Sequence, residues 1–242
     1  MKFGQMSLKK ISDKADYLQL DICGLSLEEA IERYNSYGKN IPIILHGDWY
    51  KKVNGIYQNE DNLKLRASEY KKIICELKKH TEVLGITIHP PKRKKYSIEE
   101  IISVCEDIKS VGVDVFIENR SDSRLNISNP LEVIELSNKH IMTIDIPQLY
   151  IACGYNKETF LDTLNSINWS NVQELHLSNV KNKRVAVKLE CGELDYIKIL
   201  KIIQSKAKKS FYITFEVIGS CKTFESQIEI IEGYIKSIGG VE

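Results

Sequence analysis

VDVFIENR, Val113–Arg120, is an apolar, β-branched run that ends on a carboxylate, Glu118. A short run of this composition predicts a strand. The segment before it, Ile98–Ser110, predicts a helix, because Ile98, Ile101, Ile102, Cys105 and Ile108 share one face with Glu and Lys opposite. The same unit recurs along the chain. IPIILHGDW reaches His46, LGITIHPP reaches His89, IMTIDIPQ reaches Asp145, VQELHLSN reaches His176 and FYITFEVIG reaches Glu216. With Lys2–Ser7 and Tyr17–Ile22, the strand candidates are Ile41–His46, Leu84–His89, Val113–Glu118, Ile141–Asp145, Val172–Leu177 and Phe211–Val217. Further helices are predicted at Ser26–Tyr37, Arg66–Lys79, Pro130–Asn138, Lys157–Asn165, Glu193–Lys208 and Thr223–Ser237.

Strands alternating with helices imply a parallel sheet, since each crossover must carry the chain back across it. Eight such units in 242 residues fit an α/β fold of the (β/α)8 TIM-barrel type, read as a single domain over 1–242. An open doubly wound sheet would show a Gly-rich first turn, and the first turn here reads GQMSLKK. The alternative is a barrel with an irregular first unit, because Ser7 to Tyr17 leaves little room for a helix.

Composition narrows the class. Hydrophobic residues make up 43% and charged residues 28%, ordinary for a chain with a substantial core. No apolar run approaches the roughly 20 residues that span a bilayer, and the N-terminus lacks a secretory h-region. The six cysteines, Cys23, Cys75, Cys105, Cys153, Cys191 and Cys221, form no CxxC pair, which points to reduced thiols and a cytoplasmic location. A net charge of +1 is low for a dedicated nucleic-acid binder. No membrane contact and no obligate protein partner is inferred.

In a parallel barrel the strand ends converge on one mouth, where barrel enzymes place their chemistry. His46, His89, Glu118, Asp145, His176 and Glu216 would therefore meet there. Imidazole and carboxylate suit zinc, manganese or iron(II), and the set contains no thiolate. Taken singly, a strand-end carboxylate is usually a helix cap and a strand-end histidine an ordinary hydrogen-bonded residue. The coincidence carries the reading: of five histidines, three close β-runs, while His80 and His140 read as surface residues at helix ends.

The order His, His, Glu, Asp, His, Glu on successive strands resembles the xylose isomerase-like superfamily, and within it endonuclease IV most closely. IEN at Ile117–Asn119, IDIPQLYIACGY at Ile144–Tyr155, HLSN at His176–Asn179 and FEVIG at Phe215–Gly219 are similar to that family's motifs. The resemblance spans most of the chain. It implies an abasic-site DNA endonuclease with a zinc centre, in which His46, His89 and Glu118 hold one ion. Glu118, Asp145, His176 and Glu216 would hold a second, with Glu118 bridging. The family's third-ion ligands fall at Gln148 and at about Ala186–Lys188, where residues that bind metal poorly stand; Lys188 offers a positive charge instead. DICGLSLEEA, Asp21–Ala30, also runs almost directly into helix without the family's DNA-inserting loop.

Three functions follow as alternatives. A phosphodiesterase would use two ions to clamp a phosphate and activate water, with Glu118, Glu216 and Asp145 as the catalytic carboxylates. Arg120, Arg124, Arg184, Lys188, Gln148 and the runs Lys92–Lys95 and Lys181–Arg184 would contact the phosphate-containing substrate, possibly DNA. Trp49 and Tyr50 would stack on a base or sugar. A sugar or sugar-phosphate isomerase or epimerase would use one ion, with Glu118 and Glu216 exchanging a proton. The third is a repurposed barrel without catalysis.

Overall fold

The computed structural model describes residues 1–6, 10–38, 40–53, 56–59, 63–92, 95–207 and 210–239. Its strands are β1 (Lys2–Met6), β2 (Tyr17–Asp21), β3 (Ile43–Gly47), the hairpin β4 (Tyr50–Val53) and β5 (Ile56–Asn59), β6 (Val83–Ile88), β7 (Asp114–Glu118), β8 (Met142–Asp145), β9 (Val172–Leu177), the hairpin β10 (Asn179–Lys181) and β11 (Arg184–Val187), and β12 (Tyr212–Phe215). The helices are α1 (Leu27–Asn35), α2 (Leu63–Leu77), α3 (Ile98–Lys109), α4 (Pro130–Ser137), α5 (Ile146–Ala152), α6 (Lys157–Ser166), α7 (Tyr196–Lys206) and α8 (Cys221–Gly239).

The long apolar runs close into one barrel in the order β1-β12-β9-β8-β7-β6-β3-β2. Every neighbouring pair is parallel. This is the (β/α)8 fold that the alternation predicts, with strand bounds shifted by no more than two residues. The ends of two expected elements, Ser7 and Lys208, lie outside the described residues. Helix starts follow local chemistry: Ser26 with Glu29 and Ser97 with Glu100 form capping boxes on α1 and α3, and Asn129 caps α4 with Pro130 in its first turn.

The first unit is the irregular one. Among the described residues no helix joins β1 to β2, and the Gln5 side chain closes the turn instead. Its Nε2 donates to the Lys10 carbonyl at 2.6 Å and its Oε1 accepts from the Ser12 amide at 2.8 Å. His140 corrects a second expectation. It is buried, with Nε2 donating to the Val115 carbonyl at 3.1 Å, because the turn after α4 folds back onto β7.

Side chains alternate inward and outward along each strand, so the interior is layered. Tyr17, Ile44 and Phe116 form an apolar floor with Leu84, Ile141 and Tyr212. Gln19, Thr87, Thr143, Glu174 and Thr214 form a buried polar layer above it. Beyond come the strand ends: His89, Asp145, His176 and Glu216 stand two residues past members of that layer, and His46 and Glu118 two residues past Ile44 and Phe116. The outward positions, among them Leu18, Leu45, Ile86, Ile117 and Leu175, pack against the helices.

The floor is tight at Gly4, where an added Cβ would lie 2.2 Å from the Tyr17 ring. Tyr17 cannot retreat easily: it is fully buried and its hydroxyl lies 2.8 Å from Thr214 Oγ1. Gly4→Ala is expected to cost about 1–3 kcal/mol through overpacking, lowering Tm by several degrees in thermal unfolding; an unchanged Tm would show that Tyr17 can shift freely.

No helix among the described residues is long and apolar enough to cross a membrane. All six cysteines are free thiols.

Candidate metal centre

Glu118 ends β7 and is fully buried beneath three imidazoles. Its Oε2 lies 3.1 Å from His46 Nε2 on β3, 3.4 Å from His89 Nε2 just past β6, and 3.5 Å from His176 Nδ1 on β9. Glu216, following β12, places Oε1 3.2 Å from the same His176 Nδ1. Ligand atoms at about 2.0–2.1 Å from a tetrahedral ion sit about 3.3–3.4 Å apart, so these separations suit a cation between the groups. His89, Asp145 and Glu216 join His46, Glu118 and His176 in overlapping clusters whose ligand atoms lie within 4.8 Å of one another. The six strand ends are brought together as the sequence predicts.

His176 supplies the sharper test of fit. The residue is fully buried, yet Nδ1 makes no hydrogen bond among the described residues. An orphaned buried nitrogen is costly unless something occupies its lone pair. The opposite nitrogen faces Glu174 Oε2 at 3.3 Å, with the Gln19 side chain packed beside it. An imidazole anchored on one side by a carboxylate, with its other nitrogen aimed between two more, is how metal-binding histidines are held. These residues fit a divalent ion.

Electrostatics agree with that reading. Burial pushes Asp145 well up from the usual carboxylate range, and Glu216 and Glu118 add to the shift. Burial disfavours a charged His176, but Glu216, Glu174 and Glu118 outweigh it and raise its pKa well above the ordinary value. The cluster thus has an excess of negative charge that draws in a proton, or a cation in its place. Burial alone dominates at His89, which shifts down.

Asp145 does two jobs. Its Oδ1 accepts from the Gln148 amide at 2.8 Å and caps α5, the role a lone strand-end carboxylate would be given. Asn119 holds its backbone, donating from Nδ2 to the Asp145 carbonyl at 3.1 Å and accepting the Asp145 amide at 2.8 Å. Neighbouring strand ends are thereby locked in register.

Beside Asp145 and Glu216 opens a cavity of about 270 Å³, walled by Met6, Pro147, Gln148, Ser178, Ala186 and Val217 among others. Gln148 and Ala186, the positions of the missing third-ion ligands, are thus both pocket wall. Gln148 Oε1 is held by the Ser121 amide at 3.1 Å and by its hydroxyl. Ala186 has a left-handed φ of 61° at the end of the β10–β11 hairpin, a strained conformation for alanine that brings the hairpin over the pocket.

Several expected substrate contacts are placed elsewhere. Trp49 is only 1% exposed and packs edge-on to Tyr70, so it belongs to the core beneath the rim and cannot stack on a ligand. Arg124 is 84% exposed and chelated by Asp122, which holds it out in solvent. Arg184 lines a separate surface depression with Lys181 and Asn182, and Lys188 is exposed and does not line the cavity. Among the described residues, Arg120 is the expected cation that reaches the centre, donating to Glu118. Arg93, Lys94 and the Tyr50 side chain lie outside the described residues.

Sequence reasoning passed over Glu174, Gln19 and the threonine layer. The signal was present: Thr87, Thr143, Glu174 and Thr214 each stand two residues before a strand-end candidate, on the same face.

No family model matches the chain, and no curated protein matches it. Solved structures do. A D-tagatose 3-epimerase-like protein superposes with a TM-score of 0.65 at 16% identity, covering 99% of both chains. The IolI protein with a bound zinc atom gives 0.62 at 11% identity, covering 98% of this chain and 99% of its own. D-psicose 3-epimerase from Clostridium cellulolyticum H10, with D-tagatose, gives 0.62 at 12% identity over 98% and 99%. The likeness is one of fold: this chain shares the (β/α)8 barrel of these proteins. The narrower likeness to endonuclease IV stays with the sequence motifs.

Proposed function

We propose that this barrel is a metal-dependent isomerase or epimerase of a small hydroxylated carbonyl compound, using one divalent ion held by Glu118, Asp145, His176 and Glu216. The cavity beside Asp145 and Glu216 carries the reading. Its volume of about 270 Å³ suits a molecule the size of a monosaccharide, and its polar wall beyond those carboxylates comes from Gln148 and Ser178. No lysine or arginine lines it among the described residues. The structural neighbours that are sugar epimerases support the same chemistry on this fold.

The ion would supply Lewis-acid polarisation of a carbonyl and the neighbouring hydroxyl. Glu216, on the cavity wall, is placed to take the proton from the carbon bearing that hydroxyl. The C–H electron pair moves into the C–C bond and the carbonyl π pair moves onto oxygen. Asp145, on the same cavity wall and with its carboxyl pushed well up by burial, is placed to return a proton. Return to the opposite face of the same carbon gives an epimer; return to the former carbonyl carbon, with the hydroxyl proton passing to the former carbonyl oxygen, gives an isomer. Gln148 and Ser178 would orient the substrate hydroxyls.

The test is proton exchange in D2O. Wild-type protein supplied with manganese or zinc and given D-tagatose or D-fructose should incorporate deuterium next to the carbonyl, read by proton NMR. Glu216→Gln should not. A two-ion phosphodiesterase is the second reading, favoured by the completeness of the His46, His89 and Glu118 group. Cleavage of a labelled abasic duplex without exchange on any ketose would replace the first reading with the second.

A further inference from the structure

The His46, His89 and Glu118 group contains a fourth member, Arg120. Its Nη1 donates to Glu118 Oε1 at 2.7 Å and lies 3.2 Å from His89 Nε2. Glu118 Oε2 is the oxygen that faces the three histidines. A carboxylate bridging two ions in the usual way gives one oxygen to each, and here the second oxygen is already held by a guanidinium. We propose that Arg120 takes the position of a second cation and thereby fixes the centre at one ion. The inference rests on the reading of a metal centre given above and deepens it.

The chemistry of arginine suits the role. A guanidinium keeps its charge at any working pH, so the position cannot be vacated by deprotonation. Its partner Glu118 is fully buried, while the Arg120 side chain is 26% exposed, so the contact is charge-assisted and shielded on the carboxylate side. An ion entering between His46 and His89 would meet a positive charge 3.2 Å from His89 Nε2, and would have to share Oε2 with the ion at His176 or displace Arg120 from Oε1. The two early histidines remain at the centre without a second metal, with His46 Nε2 and His89 Nε2 both turned to Glu118.

The measurement is metal stoichiometry by elemental analysis, after equilibration in buffered free zinc and desalting, with circular dichroism confirming the fold. Wild type should hold one ion per chain and Arg120→Ala two. Arg120→Lys, which keeps the charge, should return to one. His89→Ala in the Arg120→Ala background should also return to one, placing the added ion on the early histidines. Cobalt substitution offers an independent readout, since the visible d–d absorption per chain should about double in Arg120→Ala. Two ions in wild type, or one in folded Arg120→Ala, would overturn the role of Arg120 while leaving the metal centre intact. No ion in either protein would overturn the metal centre itself and this inference with it.

Discussion

Glu118→Gln is expected to lose its metal during desalting under conditions in which wild type retains it. One oxygen of Glu118 lies within 3.1–3.5 Å of nitrogens from three histidines, and the other accepts from Arg120. Glutamine keeps the shape and removes the charge. Removing one member of a buried ionic group typically costs about 3–5 kcal/mol, here between about a hundredfold and several thousandfold in affinity. Competition against a chelator of known affinity measures it. Retention of metal at the wild-type level would mean that the strand-end residues do not share one centre.

The same variant carries a pH signature in the metal-free protein. Burial alone would raise the Glu118 carboxyl, but His89, His176 and Arg120 overcome it and hold it well below the ordinary carboxylate range. A carboxyl depressed in the folded state stabilises the fold above its unfolded pKa, and that stability is lost as pH falls through the folded value. Wild type should therefore exceed Glu118→Gln in Tm at neutral pH, with the gap closing as pH drops below about 4.5. Part of the loss is offset, because Asp145 is relieved of a neighbouring charge. The neutral-pH gap should consequently fall at the lower end of the range for buried ionic groups.

Much of the fold was legible because a parallel barrel writes itself as repetition. Runs such as ITIH at Ile86–His89 and ITFE at Ile213–Glu216 each give a strand and a functional tip, and the helices between them show apolar spacing. The site was legible for the same reason, since parallel strands send all their C-terminal ends to one mouth. What escaped depends on contacts between segments far apart in sequence. Nothing in GDWY shows that Trp49 turns under the rim to meet Tyr70, or that His140 returns to β7. The hairpins β4–β5 and β10–β11 are short insertions with strands of three or four residues, too brief for an alternation to show. Arg120 and Arg124 look alike in ENRSDSR, yet a local Asp122 chelates one and a buried Glu118 captures the other. Glu174 could have been read. A charged residue inside the apolar run VQELHL, on the same face as His176, has to point into the barrel.

That buried carboxylate carries the second large effect. Glu174 is fully buried beneath the centre. Its Oε1 accepts from Thr214 at 2.7 Å, and its Oε2 accepts from Thr143 at 3.0 Å and from Thr87. Tyr17 and Gln19 complete the ring on Oε1 at 3.5 and 3.4 Å. Burial disfavours the anion, but His176 and these donors pull its pKa down, so it stays ionised in the interior. Its remaining contact is His176 Nε2, 3.3 Å away. For Nδ1 to present a lone pair, Nε2 must carry the proton, and an acceptor-only carboxylate enforces that tautomer. Glu174→Gln replaces the acceptor by an amide that can equally donate, while the surrounding hydroxyls rotate to satisfy it. The fold should survive with little change in Tm. Metal affinity should fall about 10–100-fold, the usual cost of losing a partner behind a ligating histidine, with the ion count unchanged. In the metal-free protein, nitrogen-15 shifts should show His176 losing its proton at lower pH than in wild type, because Glu174 is one of the carboxylates that raise its pKa. Affinity and titration both at wild-type values would show that Glu174 neither orients nor polarises the ring. A drop in affinity with an unaltered titration would instead assign Glu174 a purely electrostatic effect on the ion.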